Sequence, residues 1–273
     1  MATSVQSIDL AVIKQRQQQT WSDGDYAEVG TTLQIIAENL CEAVDLRSGQ
    51  HVLDVATGHG NAAIAAARRF ADVIGIDYVP DLLERGRARA KAERVPVEFQ
   101  DGDAEALNFP DASFDVVLST LGVMFAPDHD RSARELLRVT RSGGKIGLAN
   151  WTPDGYIGQM FRTIGRNVPP PAGLQSPLLW GTEQHVRELF GDEITDLSAR
   201  KRFFAFRYRS PEHCLHFFRT YYGPMKRAFD ALGAAGQLKL ENDLLEMMTQ
   251  ANRSVDGDFV APSEYLEIVA IRR

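Results

Sequence analysis

Cysteine is scarce in this sequence, and long apolar runs are absent. The 273 residues include two cysteines, Cys41 and Cys214, which lie far apart and in no metal-ligand spacing. A disulfide scaffold is therefore excluded, and both residues fit small core side chains in a reducing compartment. No apolar run approaches the ~20 residues that a membrane helix needs. Residues 1–10 lack a basic segment followed by an apolar one, so we expect no signal peptide and a cytoplasmic location.

Basic residues are also fewer than acidic ones. The chain carries 30 Lys and Arg against 37 Asp and Glu, a formal net charge of -7. This balance disfavours a nucleic-acid partner held through its phosphates. No group of acids and histidines has the spacing of metal ligands, so we expect no metal site. The composition, 44% hydrophobic and 25% charged, is that of a globular chain with room for one large domain, with or without an appended lid.

Short apolar segments alternate with helical segments through the middle of the chain. Segments of four to six residues that are rich in branched side chains predict buried strands, and their spacing leaves room for a helix in each connection. This alternation predicts a parallel α/β sheet with right-handed crossovers. The predicted strands are Val52–Ala56, Asp72–Asp77, Val97–Gln100, Phe114–Ser119 and Lys145–Asn150.

The two ends of the chain follow a different pattern. Helices are predicted before residue 50, and we expect residues 1–49 to cover the ligand site of a core that spans residues 50–151. The remainder, residues 152–273, is predicted to complete the sheet with strands near 200–209 and 265–271. Between these strands, helices near 211–251 form an insertion that we expect to act as a lid, and the first of them is predicted over Pro211–Leu232.

A glycine-rich turn connects the first predicted strand to its helix. Gly58 and Gly60 allow close approach of a ligand to the backbone, beside a helix N-terminus. Asp77 ends the second strand and Asp103 follows the third, so both should converge on the same sheet edge as this turn. Asp77 suits ribose hydroxyls, while Asp103 suits the adenine amine. Asp54, within the first strand, is expected to orient the turn or reach a ligand ammonium through water.

Four segments, in order, resemble the class I S-adenosylmethionine-dependent methyltransferases. They are VLDVATGHGN, VIGID, GDAEALNFPDASFDVV and LLRVTRSGGKIGLANW, within residues 50–151. The resemblance is to the small-molecule branch similar to ubiquinone and menaquinone biosynthesis C-methyltransferases. It implies a Rossmann-like α/β fold: a seven-stranded, mostly parallel sheet with an antiparallel last strand, helices on both faces and a helical lid. It also implies methyl transfer with S-adenosyl-L-methionine as the cofactor.

The resemblance also indicates which residues contact the cofactor. The family often has glycine where Ala56 stands, although alanine occurs there too. Ala104 N–H is expected to meet an adenine ring nitrogen, and the backbone of Ser119 and Thr120 the methionine portion. The expected set is Asp54, Ala56, Thr57, Gly58, Gly60, Asp77, Tyr78, Asp103, Ala104 and Ser119.

Three alternatives remain open at this point. Gly58-x-Gly60-x-x-Ala63 also fits the fingerprint of a nicotinamide-binding Rossmann domain, with Asp77 near the expected ribose position. The second acid, Asp103, the turn Asn108–Asp111 and the final strand without a covering helix disfavour that interpretation. The chain could instead bind the cofactor without methyl transfer, or catalyse a non-methylating natural-product reaction on the same scaffold.

The segment after the fourth strand bears on the acceptor. Ser119-Thr120-Leu121-Gly122 lacks the Asn/Asp-Pro-Pro-aromatic motif of methylases that act on nucleobase amino groups, which favours a small molecule. We expect the acceptor to be hydrophobic or aromatic and assign it to Phe125, Tyr221 and Tyr222. Trp21 and Tyr26 are predicted to close over the cofactor. His129 is interpreted as a solvated residue at a helix N-terminus, so no catalytic residue is assigned, and the oligomeric state stays open.

Overall fold

The computed structural model describes residues 9–273, and the first eight residues lie outside the described part. Its centre is a seven-stranded sheet in the order β3-β2-β1-β4-β5-β7-β6. β7 runs antiparallel to both of its neighbours, whereas the pairings from β3 to β5 are parallel. The strands are β1 His51–Val55, β2 Asp72–Asp77, β3 Glu98–Asp101, β4 Phe114–Thr120, β5 Thr140–Trp151, β6 Ile194–Tyr208 and β7 Phe259–Arg272.

The predicted sheet is confirmed, including its antiparallel last strand. The central strands β1 and β4 are buried along almost their whole length, as their branched apolar residues require. The last two strands are longer than predicted: β6 and β7 pair from Ile194 and Arg272 to Tyr208 and Phe259. Burial alternates at the start of β7, whereas Tyr265, Leu266, Glu267 and Ile268 are buried in succession, so the middle of this strand is covered on both faces.

Helices pack around this sheet. None of those within residues 9–273 is long and apolar enough to cross a membrane. The helices are α1 Leu10–Ser22, α2 Tyr26–Thr31, α3 Gln34–Ala43, α4 Asn61–Ala67, α5 Pro80–Glu93, α6 His129–Val139, α7 Tyr156–Asn167, α8 Glu183–Phe190, α9 Pro211–Tyr221, α10 Gly223–Asp230 and α11 Ala234–Ala251.

The segment predicted as one long helix from Pro211 to Leu232 is two helices. α9 ends at Tyr221 and α10 begins at Gly223, so that prediction is wrong. Pro224 explains the break, because proline cannot donate the backbone hydrogen bond of a helix interior and its ring clashes with the preceding turn. Proline is instead accepted in the first turn of a new helix, which is its place in α10.

The N-terminal helices and the insertion after β6 touch each other closely. Asp25 N donates a hydrogen bond of 3.0 Å to the Tyr221 carbonyl. A Cβ on Gly223 would lie 1.9 Å from Thr20 O, and a Cβ on Gly24 would lie 2.3 Å from Tyr221 O. Side-chain-free residues at both points let α1 and α2 pack directly against the α9–α10 junction, so the two segments form one continuous cover.

Candidate active site

The turn between β1 and α4 is held by a buried carboxylate. Asp54 Oδ2 accepts hydrogen bonds from Thr57 Oγ1 at 2.5 Å and from Ala63 N at 2.9 Å. Gly60 ends the turn with φ 90, a left-handed conformation that favours glycine. A Cβ there would also lie 2.7 Å from Phe99 Cζ. The turn therefore needs glycine at residue 60 for its backbone and for its packing.

Asp77 connects this turn to the one that follows β2. Its Oδ2 accepts from Gly58 N at 2.8 Å and its Oδ1 from Val79 N at 2.9 Å. Each oxygen keeps a lone pair for a further donor. Burial raises the pKa of Asp77 to about 6, against the effect of its backbone hydrogen bonds. Burial likewise raises the pKa of Asp54 to about 7.

The ends of these strands surround a cleft with 910 Å³ of empty space, part of it open to solvent. All but two of the residues expected to bind the cofactor line it. From that set the cleft is lined by Asp54, Ala56, Thr57, Gly58, Asp77, Tyr78, Asp103 and Ala104, and further lining comes from Lys14, Trp21, Tyr26, His59, Glu105, Thr120, Leu121 and Phe125.

Gly60 and Ser119 are the two expected residues that do not line the cleft. Gly60 lies behind the turn, against Phe99. Ser119 Oγ donates to Val55 O at 2.7 Å and accepts from Val123 N at 2.9 Å, so the buried hydroxyl ties β4 to β1. Both residues shape the cleft indirectly, because they fix the backbone of the segments that form it. Thr120 is the residue of β4 that faces the cleft.

A lysine from α1 reaches the side of the cleft formed by the loop after β3. Lys14 Nζ lies 2.6 Å from Asp103 Oδ2 and forms a second ion pair with Glu105. Asp103 Oδ1 accepts from Glu105 N at 2.9 Å, so these acids are held in one arrangement. Sequence reasoning missed both Lys14 and Glu105. The partners stand about 90 residues from Lys14 in the chain, and no local pattern connects them.

The matches to known proteins agree with this geometry. The family described as "Methyltransferase domain" matches residues 53–148. An uncharacterised protein of Mycobacterium tuberculosis is 39% identical over 255 residues, 92% of each chain. A demethylmenaquinone methyltransferase of Deinococcus radiodurans is 37% identical over 130 residues, 46% of this chain and 54% of that protein.

The chain belongs to the class I S-adenosylmethionine-dependent methyltransferases. Its cofactor is S-adenosyl-L-methionine. The fold agrees with this assignment: a putative methyltransferase from Bacillus halodurans superposes with a TM-score of 0.60 at 21% identity, over 86% of this chain and 97% of that one.

An aromatic recess adjoins the cleft of this methyltransferase. It is narrow, with a cavity volume of about 20 Å³ inside 300 Å³ of empty space that includes open solvent, and it shares Trp21, Tyr26, Leu33 and Phe125 with the cleft. Its walls must therefore move apart to admit more than about one water. The Trp21 ring lies 4.7 Å from Phe125 and 5.6 Å from Tyr222. No charged side chain of the described residues lines the recess. The remaining lining residues are Val29, Trp151, Ile157, Phe206, Phe218 and Tyr222.

The structure separates the two adjacent tyrosines that were assigned to the acceptor. Tyr222 is buried and lines the recess, with its ring 5.6 Å from Phe218. Tyr221 lines neither the cleft nor the recess, and its ring stacks 4.9 Å from Phe217. The end of α9 at Tyr221 turns the two side chains to different sides. Phe125, the third assigned residue, lines both spaces.

The histidines near the methyltransferase cleft are buried and neutral. Burial, with Arg89 and Arg85 nearby, lowers the pKa of His59 to about 3. His129 is not the solvated residue expected from the sequence: it is 1% exposed, and its Nδ1 lies 3.0 Å from His185 Nε2. Burial lowers its pKa to about 4. His129 does not line the cleft.

No metal centre is visible in the part of the chain that the structure describes. Residues 9–273 contain no group of three or more His, Cys, Asp or Glu side chains placed to share an ion. Neither cysteine lies in such a group, and burial raises the pKa of both thiols to about 12.

Proposed function

We propose that this methyltransferase transfers the methyl group of S-adenosylmethionine to a small hydrophobic or aromatic molecule. The observation that carries the proposal is the aromatic recess beside the cofactor cleft, which holds no charged side chain among the described residues. Transfer of a neutral ring system or an apolar chain from water into such a space costs little free energy. An ionic acceptor would instead lose its hydration and find no charged partner there.

The cofactor is proposed to occupy the larger cleft. Asp77 offers one free lone pair on each carboxylate oxygen to the two ribose hydroxyls, since its other pairs hold Gly58 N and Val79 N. Asp103 accepts from the adenine amine, and Ala104 N–H donates to a ring nitrogen. The methionine portion then extends past Ala56 and Thr120 toward Phe125, where the cleft meets the recess.

The chemistry asks little of the protein beyond positioning. Methyl transfer is an in-line displacement at a sulfonium carbon that is already activated, so alignment and exclusion of water supply the catalysis. The titratable groups of the recess wall are the hydroxyls of Tyr26 and Tyr222, and burial raises the pKa of both far above the ordinary value, so neither supplies a base. The acceptor is therefore one whose nucleophilic atom needs no base from the recess.

The roof over both spaces is proposed to be the N-terminal helices together with the insertion near residues 211–251. α1 and α2 contribute Trp21 and Tyr26, and α9 with the residue that follows it contributes Phe218 and Tyr222. Closure of these segments would exclude water from the transferred methyl. The core, residues 50–151, supplies the polar contacts of the cofactor.

Two measurements test this function. Calorimetric titration should show binding of S-adenosylmethionine and its demethylated product, and tight binding of NAD alone would refute the cofactor assignment. Incubation with S-adenosylmethionine and a panel of acceptors, read by mass spectrometry, should show the mass of one added methyl on apolar aromatic acceptors. The panel should include a demethylated quinol, because a relative of half the chain is named for a demethylated quinone.

The other outcomes of the acceptor assay identify the alternatives. An isomerised acceptor of unchanged mass would indicate a non-methylating reaction on this scaffold. Cofactor binding without change in any acceptor would indicate a binding protein, and methylation of charged acceptors only would refute the apolar-acceptor proposal.

A further inference from the structure

Helix α1 is attached to the cofactor cleft mainly through polar contacts. Ile13 is its only buried residue. Lys14 pairs with Asp103 and Glu105 in the loop after β3, and Gln18, one turn later, donates to the Tyr78 carbonyl after β2. The loops that receive these contacts also line the cleft, so the N-terminal half of α1 is fastened directly to the cofactor site.

The other end of α1 is attached differently. Thr20 lies against Gly223 with no room for a Cβ, and the following Asp23 pairs with Arg227 of α10. This end is therefore fixed by close packing against the lid and by the Trp21 ring, whereas Ile13 is the one buried apolar residue in the N-terminal half of α1. A segment with few buried apolar contacts opens more readily than the core.

The acids that Lys14 contacts need a cation. The Glu105 side chain is 4% exposed, and its Oε1 accepts from Asp128 N at 2.9 Å. A carboxylate buried to this degree is costly unless it is paired. Burial opposes the charge on Lys14, but its hydrogen bonds to Asp103 and Glu105 outweigh burial and raise the pKa of Lys14 above its ordinary value. Lys14 thus stays charged between the two acids.

We propose that Lys14 is a cofactor-positioning residue: by bridging Asp103 and Glu105, it fixes the acid that receives the adenine and holds α1 over the adenosine end of the cleft. This inference rests on the proposed placement of the cofactor. Release of the two acids by α1 would widen the cleft for exchange of the spent cofactor, because Lys14 and Trp21 are both part of the cleft wall. Removing the bridge is expected to act on cofactor release more than on the chemical step.

The test measures the dissociation rate of radiolabelled S-adenosylmethionine by displacement with unlabelled cofactor. Lys14→Gln should accelerate dissociation by roughly tenfold or more, since loss of one partner of a buried charge pair acts on the off-rate. Lys14→Arg, which keeps the charge, should restore most of the slow rate. Arg16→Gln removes a positive charge from the exposed face of the same helix, where it has no ion pair within the described chain, and should leave the rate unchanged.

A double-mutant cycle separates this role from a general loss of structure. If Lys14 acts through Glu105, Lys14→Gln should add little to the effect of Glu105→Gln, whereas independent effects would add. Raised ionic strength should accelerate dissociation in the wild type and less so in Lys14→Gln. An unchanged rate in Lys14→Gln, or additive effects in the cycle, would overturn the inference. Failure of the wild type to bind S-adenosylmethionine would refute the proposed function itself.

Discussion

The contact between Gly223 and Thr20 offers a test of how the lid shapes the acceptor recess. Gly223→Ala would place a Cβ 1.9 Å from Thr20 O and 2.9 Å from Thr20 C. Both neighbours are backbone atoms, so no side chain can rotate away. The α1 and α10 segments must instead separate by about 1 Å, and overpacking of this kind costs about 1–3 kcal/mol.

This displacement reaches the recess because the residues next to the contact carry two of the aromatic rings that line it. Trp21 follows Thr20 and Tyr222 precedes Gly223, and their rings lie 5.6 Å apart in the wild type. A misplacement of about 1 Å costs on the order of a hundredfold in rate when it affects the alignment of reacting groups. We therefore expect acceptor turnover in Gly223→Ala to fall by roughly this factor, with a smaller loss of cofactor affinity because Trp21 of α1 also lines the cleft.

The assay is a comparison of matched variants. Gly233→Ala is the control, because a Cβ at Gly233 has nothing within 4 Å and its φ is an ordinary -71. Thermal unfolding should show Gly223→Ala several degrees below the wild type, at roughly 2–4 °C per kcal/mol. Wild-type turnover and unfolding temperature in Gly223→Ala, or an equal loss in Gly233→Ala, would refute the reasoning.

Three further predictions concern individual side chains. Asp77→Ala should weaken S-adenosylmethionine binding at least about tenfold in calorimetry, because hydrogen bonds to a charged acceptor are worth about 1.5–3 kcal/mol each. Tyr222→Ala should reduce acceptor turnover while Tyr221→Ala leaves it nearly unchanged, since of the two only Tyr222 lines the recess. Asp54→Asn should flatten the dependence of the unfolding temperature on pH between about pH 4 and 7, because burial raises the pKa of Asp54 from its ordinary value of 3.8 to about 7.

The sign of the pH effect follows from proton uptake. With its pKa raised to about 7, folded Asp54 binds a proton that the unfolded chain has lost above its ordinary pKa. Stability from this group is therefore greatest at low pH and declines as the pH rises toward and through 7. Both hydrogen bonds of Asp54 end on Oδ2, so one amide oxygen can accept both in the Asn variant.

Each of these predictions has a contradicting result. Wild-type affinity in Asp77→Ala would show that the ribose lies elsewhere. The same variant should also unfold earlier, because Gly58 N–H and Val79 N–H lose their acceptor. Equal losses of acceptor turnover in Tyr222→Ala and Tyr221→Ala would show that a position in the recess wall does not decide the effect. An equally steep pH profile in Asp54→Asn would assign the titration to another group.

The sequence by itself determined the core of this methyltransferase. Strand periodicity, the glycine turn and the acids at successive strand ends are local patterns, and the edge of a parallel sheet brings them together by topology alone. For this reason the amino-acid sequence is sufficient to predict that Asp54, Gly58, Asp77 and Asp103 meet at one cleft. Their spacing in the chain reflects the repeating βα unit, whose geometry is nearly constant.

Only the tertiary structure decided how the cleft is closed and which side chains face it. Lys14 meets Asp103 and Glu105 across some 90 residues, and Tyr222 rather than Tyr221 faces the recess because α9 ends between them. The Ser119 hydroxyl bonds to Val55 and Val123, and Thr120 is the residue of β4 that lines the cleft. These outcomes depend on long-range packing and on a one-residue change in side-chain direction, which local sequence patterns do not specify.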